Sequence, residues 1–94
     1  MERNELYMEE FNIILGNRIR NLREECGYTR EKFAELADIN DKYLYEIESG
    51  RKGLSAKKLY NISHAFGISM DFLVTGRAKK RSKNRDFPRV SGHL

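Results

Sequence analysis

Residues 29–50 hold two short helical patterns, with too few residues between them for anything but a tight turn. Phe33, Leu36 and Ala37 stand at i, i+3 and i+4, which puts them on one face of the first pattern. Leu44 and Ile47 repeat that spacing in the second, with Glu48 beside them. Thr29 and Asn40 are natural N-caps, because a short side-chain oxygen can accept from the open amides of a first helical turn. Ala34 carries so small a side chain that a second helix can cross close above it. Two crossed helices joined this way form a helix-turn-helix, and the outer face of the second fits a DNA major groove. Geometry of this kind also occurs in small helical proteins that bind no nucleic acid.

The flanks extend the same pattern. Ile19 and Leu22 face inward from a helix over 14–26, with Arg18, Arg20, Glu24 and Glu25 outward and Gly27 at a left-handed cap. Asp38 sits at the turn between the two central helices, where it tolerates unusual backbone angles better than a branched residue. Gly50 closes the third helix, and Arg51-Lys52-Gly53-Leu54 reads as a basic loop. Ser55 caps a fourth helix with an inward stripe of Leu59, Ile62 and Phe66 beside the small Ser63, and Gly67 stops it. Ser69 caps a last short helix carrying Phe72, Leu73 and Val74, which ends at Gly76. Caps and periodicity agree at every boundary, which predicts an all-α chain of five helices.

Before residue 14 the spacing leaves two arrangements open. Leu6, Tyr7, Phe11, Ile14 and Leu15 continue the helical period, so the first helix can start near residue 5. A short separate helix packed on the domain satisfies the same pattern. Gly16 weakens the continuous version by about 1 kcal/mol relative to Ala. In both arrangements residues 1–13 carry more apolar side chains than a solvated arm should, and so are expected to cover a core or a second subunit.

Charge divides the chain. The net charge is +4, yet residues 1–76 hold 11 Lys and Arg against 13 Asp and Glu, while 77–94 hold seven basic groups against one acidic. Residues 1–76, which include the folded part over 14–76, are therefore slightly acidic, and the basicity resides in a tail over 77–94 that is expected to be disordered and contains the only proline. That tail suits DNA backbone, an acidic partner protein or simple solubility. The polar Met-Glu-Arg-Asn-Glu start resembles no signal peptide, and no apolar run is long enough to span a membrane. Cys26 is the single cysteine, expected as a small apolar filler, and a thiol with no second cysteine to form a disulfide fits a reducing cytoplasm. His64 reads as a surface residue and His93 lies in the tail. No nucleophile, base or ligand cluster accompanies them, so the reading is a non-enzyme without metal or cofactor.

Over roughly residues 14–76 the sequence resembles the Cro and phage-repressor type of helix-turn-helix domain, the XRE family. The resemblance is carried by Arg18-Ile-Arg-Asn-Leu-Arg23, Phe33-Ala-Glu-Leu-Ala37, Ile47-Glu-Ser-Gly50 with Arg51-Lys52, and Phe66-Gly-Ile-Ser-Met-Asp-Phe-Leu-Val-Thr-Gly76, in order and correctly spaced. It implies a compact five-helix, lambda-repressor-like bundle that binds double-stranded DNA as a homodimer, usually as a repressor. By the resemblance, base readers fall on Asp41, Lys42 and Glu46, with Tyr45 between them on the groove side. Backbone contacts fall on Thr29, Arg30, Ser49, Arg51 and the Gly53 amide, and Lys52 is either a further phosphate contact or a solvated charge. The family's pairing of a first-helix arginine with the glutamate ending the third helix falls on Arg23 and Glu48, which otherwise read as two solvated charges.

Two departures stand out. Asp41 lies where the family often has Gln, and a carboxylate only accepts, so it suits cytosine N4 or its own helix N-terminus. Glu46 adds a second negative group, and the face then needs flanking positive charge to approach phosphates. The leading expectation is a cytoplasmic dimeric repressor. The alternative is a protein-interaction module, such as an antitoxin that binds a partner protein and regulates its own promoter.

Overall fold

The computed structural model describes residues 3–77, with only backbone for residues 3–6. Five helices form: α1 (Arg3–Cys26), α2 (Arg30–Ala37), α3 (Asp41–Glu48), α4 (Ala56–Phe66) and α5 (Met70–Thr75). The chain divides into two units, Met1–Leu54 and Ser55–Leu94. Beyond Arg77 the basic tail expected from the sequence lies outside the described residues.

In the first unit α1 is one continuous helix of 24 residues, so the separate N-terminal helix does not form. Gly16 permits this in a way its helix propensity does not suggest. A methyl group built on its Cα would overlap the Ile47 carbonyl oxygen and lie 3.2 Å from that of Glu48. The missing side chain is the contact, because it lets the end of α3 rest on the α1 backbone. Further along, a Cβ on Gly50 would meet the Ile13 side chain at 2.9 Å, and one on Gly53 would meet the Asn12 amide oxygen at 2.7 Å. Asn12 and Ile13 therefore floor the loop that leaves α3. Leu15, Ile19 and Leu22 of α1 are buried, as are Phe33, Ala34 and Ala37 of α2, Ile39, and Leu44 and Ile47 of α3. The apolar start of α1 behaves differently: Tyr7, Met8, Ile13 and Ile14 are all more than half exposed.

The turn between α2 and α3 is Asp38–Asn40. Asp38 takes the left-handed conformation at φ 59°, and its amide donates back to Glu35 while Ile39 donates to Ala34. Asn40 then starts α3, its side-chain oxygen accepting from Lys42 N at 2.8 Å and Tyr43 N at 3.2 Å. Replacing Asn40 by Ala leaves both amides to water and should cost about 1 kcal/mol, while Asn40→Asp should be close to neutral. Urea denaturation of the two variants checks this.

The second unit is built by the same rules. Ser55 accepts from Lys58 N and Ser69 from Phe72 N, while Gly67 and Gly76 end α4 and α5 in the left-handed region. α4 packs on α5, and Ile62, Ser63, Ile68 and Leu73 are buried. His64 is exposed and stacks on Tyr60 at 5.5 Å between centroids. Cys26 corrects an expectation: it is exposed rather than a filler, since the last position of α1 falls outside the helix's buried stripe of Leu15, Ile19 and Leu22. Among the described residues no helix is long and apolar enough to cross a membrane, and no His, Cys, Asp and Glu group could hold a metal.

Candidate nucleic-acid interface

The third helix is locked from below before anything is displayed on its surface. Arg23 donates from Nε to Glu48 Oε2 at 2.7 Å and from Nη2 to Oε1 at 3.0 Å, a bidentate pair. Its Nη1 donates to the Tyr28 carbonyl oxygen at 3.0 Å, which ties the α1–α2 linker into the same group. The side chains are 14% and 7% exposed. Hydrogen bonding by Glu48 holds the Arg23 guanidinium above its usual value, against the opposing effect of burial. Glu48 lies in the last turn of α3, where the helix dipole disfavours a carboxylate, so the arginine also offsets that cost.

The outer face of α3 holds Asp41, Lys42, Tyr45 and Glu46, and neither acid stands alone there. Arg30, the first residue of α2, donates from Nε to Asp41 Oδ1 at 3.1 Å. Lys52, from the loop beyond α3, lies 3.3 Å from Glu46 Oε1. Tyr45 projects between them, 43% exposed, with the Arg30 guanidinium carbon 5.1 Å from its ring centroid and that of Arg51 at 5.8 Å. Lys42 is exposed and makes no ion pair among the described residues. The surface thus has four cationic side chains (Arg30, Lys42, Arg51 and Lys52) against two carboxylates, and each carboxylate is already matched. These pairs are partly solvated, worth roughly 0–1 kcal/mol each, so an incoming phosphate can displace them at little cost.

The loop that carries Arg51 and Lys52 is anchored to α3. Both amides donate to the Glu46 carbonyl, at 2.9 and 3.3 Å, and the Tyr43 hydroxyl donates to the Gly53 carbonyl at 3.0 Å. Tyr43 therefore belongs to the scaffold. Thr29 accepts from Lys32 N at 3.1 Å, which leaves its O–H proton to offer outward. Ser49 is the reverse case: its hydroxyl donates to the Glu46 carbonyl at 3.1 Å, so it has to rotate before it can donate to a phosphate. A cavity of about 140 Å³ opens beside this face, lined by Arg20, Arg23, Arg30, Tyr45, Glu48 and Ser49. Arg20 reads from sequence only as an outward charge, and in the structure it lies 3.3 Å from Glu24. Its position one turn before Arg23 is the signal that places it at this cavity.

Comparison with known proteins agrees with this geometry. Residues 16–79 match the family described as helix-turn-helix domain. The chain is 31% identical over 61 residues to the HTH-type transcriptional regulator RamB of Mycobacterium tuberculosis, a match that takes in 65% of this chain but only 13% of RamB. It is 31% identical over 74 residues to the control protein C.MunI of Mycoplasma sp., covering 78% of this chain and 100% of C.MunI. Among solved structures it is similar to the restriction-modification controller protein C.AhdI of Aeromonas hydrophila. That match has a TM-score of 0.63 at 26% identity and covers 66% of this chain and 94% of C.AhdI.

Proposed function

The chain belongs to the XRE-type helix-turn-helix family of Cro and phage-repressor-like regulators, and from that premise we propose that it is a dimeric repressor reading double-stranded DNA with α3. The family is a regulatory domain and not an enzyme fold. The observation that carries the reading is the charge arrangement on the outer face of α3. Asp41 and Glu46 are each matched by a cation from a neighbouring segment, while Lys42 and Arg51 are left for the duplex. An acidic helix without such partners would be repelled by phosphates, and the two ion pairs support the reading by offsetting that repulsion.

In this reading Lys42, Asp41 and Glu46 face the base edges, with Lys42 suited to guanine O6 and N7 and the carboxylates to cytosine N4. Arg30, Arg51, Lys52, Thr29, Ser49 after rotation, and the Gly53 amide hold the phosphates. The basic tail adds sequence-independent affinity. Two copies related by a two-fold axis place two recognition helices about one DNA turn apart, on a near-palindromic operator in the cytoplasm. Promoter occlusion follows from that occupancy. C.AhdI is a restriction-modification controller, so promoters beside restriction-modification genes belong among the duplexes to be tried.

One observation favours a second reading, a protein-interaction module such as an antitoxin. Tyr7, Met8 and Ile14 expose apolar surface on α1, and a partner protein would cover it.

Selection from a random duplex library with the full chain separates the two. The DNA reading expects an enriched site with two related halves. Lys42→Ala should then weaken that site by about 1–3 kcal/mol and relax one position in each half. If no duplex is enriched, α3 is not a reader and the interaction module takes its place.

A further inference from the structure

The arrangement around Tyr45 supports a narrower assignment, which rests on the DNA-binding reading above. We propose that Tyr45 is a positioning residue: its ring gathers Arg30 and Arg51 into a guanidinium pair that grips the phosphodiester backbone, and Tyr45 itself reads no base.

The two arginines start far apart in the motif. Arg30 opens α2 and Arg51 lies in the loop beyond α3, yet their guanidinium carbons come within 5.1 and 5.8 Å of one ring centroid. Two like charges gathered in this way repel each other unless something holds them. The electron-rich face of a tyrosine ring attracts both, and it does so without consuming their N–H donors. Each arginine is also fixed from a second direction. Asp41 takes Arg30 at Nε, and no hydrogen bond among the described residues takes its Nη groups. The Arg51 backbone amide is pinned to the Glu46 carbonyl at 2.9 Å, which sets the point from which its side chain returns over the ring. Among the described residues Arg51 has no carboxylate partner. What results is two planar cations on one ring, Arg30 with its Nη groups unspent and Arg51 with no carboxylate partner among the described residues. Phosphate oxygens are the acceptors that geometry suits, since a guanidinium fork matches two of them at once. The nearby carboxylates do not compete for Arg51, because Glu46 is held by Lys52 and Asp41 by Arg30. A ring used in this way acts on the duplex only through its arginines, so its effect should be the same on every sequence.

Full-length wild type, Tyr45→Phe and Tyr45→Leu test the assignment. Tyr45 is partly exposed, and equal thermal midpoints establish that the variants fold. The first measurement needs no DNA. Ring currents should shift the Arg30 and Arg51 side-chain resonances upfield in wild type and Tyr45→Phe, and the shift should vanish in Tyr45→Leu. If those resonances do not move in Tyr45→Leu, the ring does not hold the arginines. The second measurement titrates the selected duplex, a scrambled duplex and inorganic phosphate at two salt concentrations. Tyr45→Leu should weaken both duplexes alike by about 10-fold and reduce the salt slope by about one, the signature of a lost phosphate contact. Tyr45→Phe should stay within about 2-fold of wild type, since the ring and not the hydroxyl carries the effect. A loss confined to the selected duplex would make Tyr45 a base reader and overturn the proposal. Saturation of wild type by millimolar inorganic phosphate would assign the pair to a free anion and overturn it equally. If wild type binds neither duplex, the DNA-binding reading itself fails, and the resonances still report whether the ring holds the arginines.

Discussion

Gly16→Ala should destabilise the protein by about 3 kcal/mol and lower its thermal midpoint by roughly 10–20 °C. Propensity alone predicts the opposite, because Ala is better than Gly inside a helix by about 1 kcal/mol. What decides the sign is the identity of the atoms the methyl group meets. They are the Ile47 carbonyl oxygen and, at 3.2 Å, the Glu48 carbonyl oxygen and the Ile47 carbonyl carbon, all backbone atoms of α3. A flexible side chain could move aside, but these atoms can shift only by lifting the whole last turn of α3. That turn also carries Glu48, so the change should loosen the ion pair as well. Asn17→Ala, at the exposed neighbouring position, is the control and should be neutral or slightly stabilising. Calorimetry of both variants is decisive: a Gly16→Ala protein as stable as wild type would rule out the close approach of α1 and α3.

The second large effect is expected at Arg23 and Glu48. Removing one member of a mostly buried ion pair leaves the other charge uncompensated, which costs about 3–5 kcal/mol. The two single changes should not be equal. Glu48→Ala leaves Arg23 still donating to the Tyr28 carbonyl, and its longer side chain can reach water. Arg23→Ala strands a carboxylate that is 7% exposed at the unfavourable end of a helix. Arg23→Ala should therefore be the more damaging. The double variant should lose less than the sum of the two, with a coupling of roughly 2–3 kcal/mol. Arg23→Lys should rescue little, because an ammonium cannot make the two-pronged contact and also reach Tyr28. Equilibrium denaturation of the full cycle measures all of this, and additive single effects would remove the pair as a structural lock.

These two sites also mark where the sequence is readable and where it is not. The capping residues Thr29, Asn40, Ser55 and Ser69, and the left-handed closures at Gly27, Gly50, Gly67 and Gly76, are legible because their partners lie within a few residues along the chain. The same holds for Asp38, whose positive φ follows from the shortness of the turn. Gly16 is misread as a weak point in α1, because its partner lies some thirty residues away and nothing local announces it. The continuity of α1 stays undecided for the same reason: helical spacing is identical whether residues 3–13 extend the helix or fold back on it. Cys26 fails as a filler because one position of helical phase separates burial from exposure in a last turn. At the candidate interface, residue types read from the sequence show an acidic α3. The matching of Asp41 with Arg30 and of Glu46 with Lys52 depends on how the α2 start and the exit loop lie beside α3. Charge counting along the chain therefore overstates the repulsion such a face presents to DNA.

The unbroken length of α1 has a mechanical consequence. Twenty-four helical residues form a stiff rod of about 36 Å. The C-terminal turn of α3 is fastened to it at two points, the backbone contact at Gly16 and the guanidinium of Arg23. Those points lie about two turns apart along the rod, so α3 cannot pivot against α1 without breaking one of them. The first turns of α1 overhang that attachment and act as a lever arm. A torque applied at Tyr7 or Met8 is delivered to the angle of α3 rather than dissipated in a hinge.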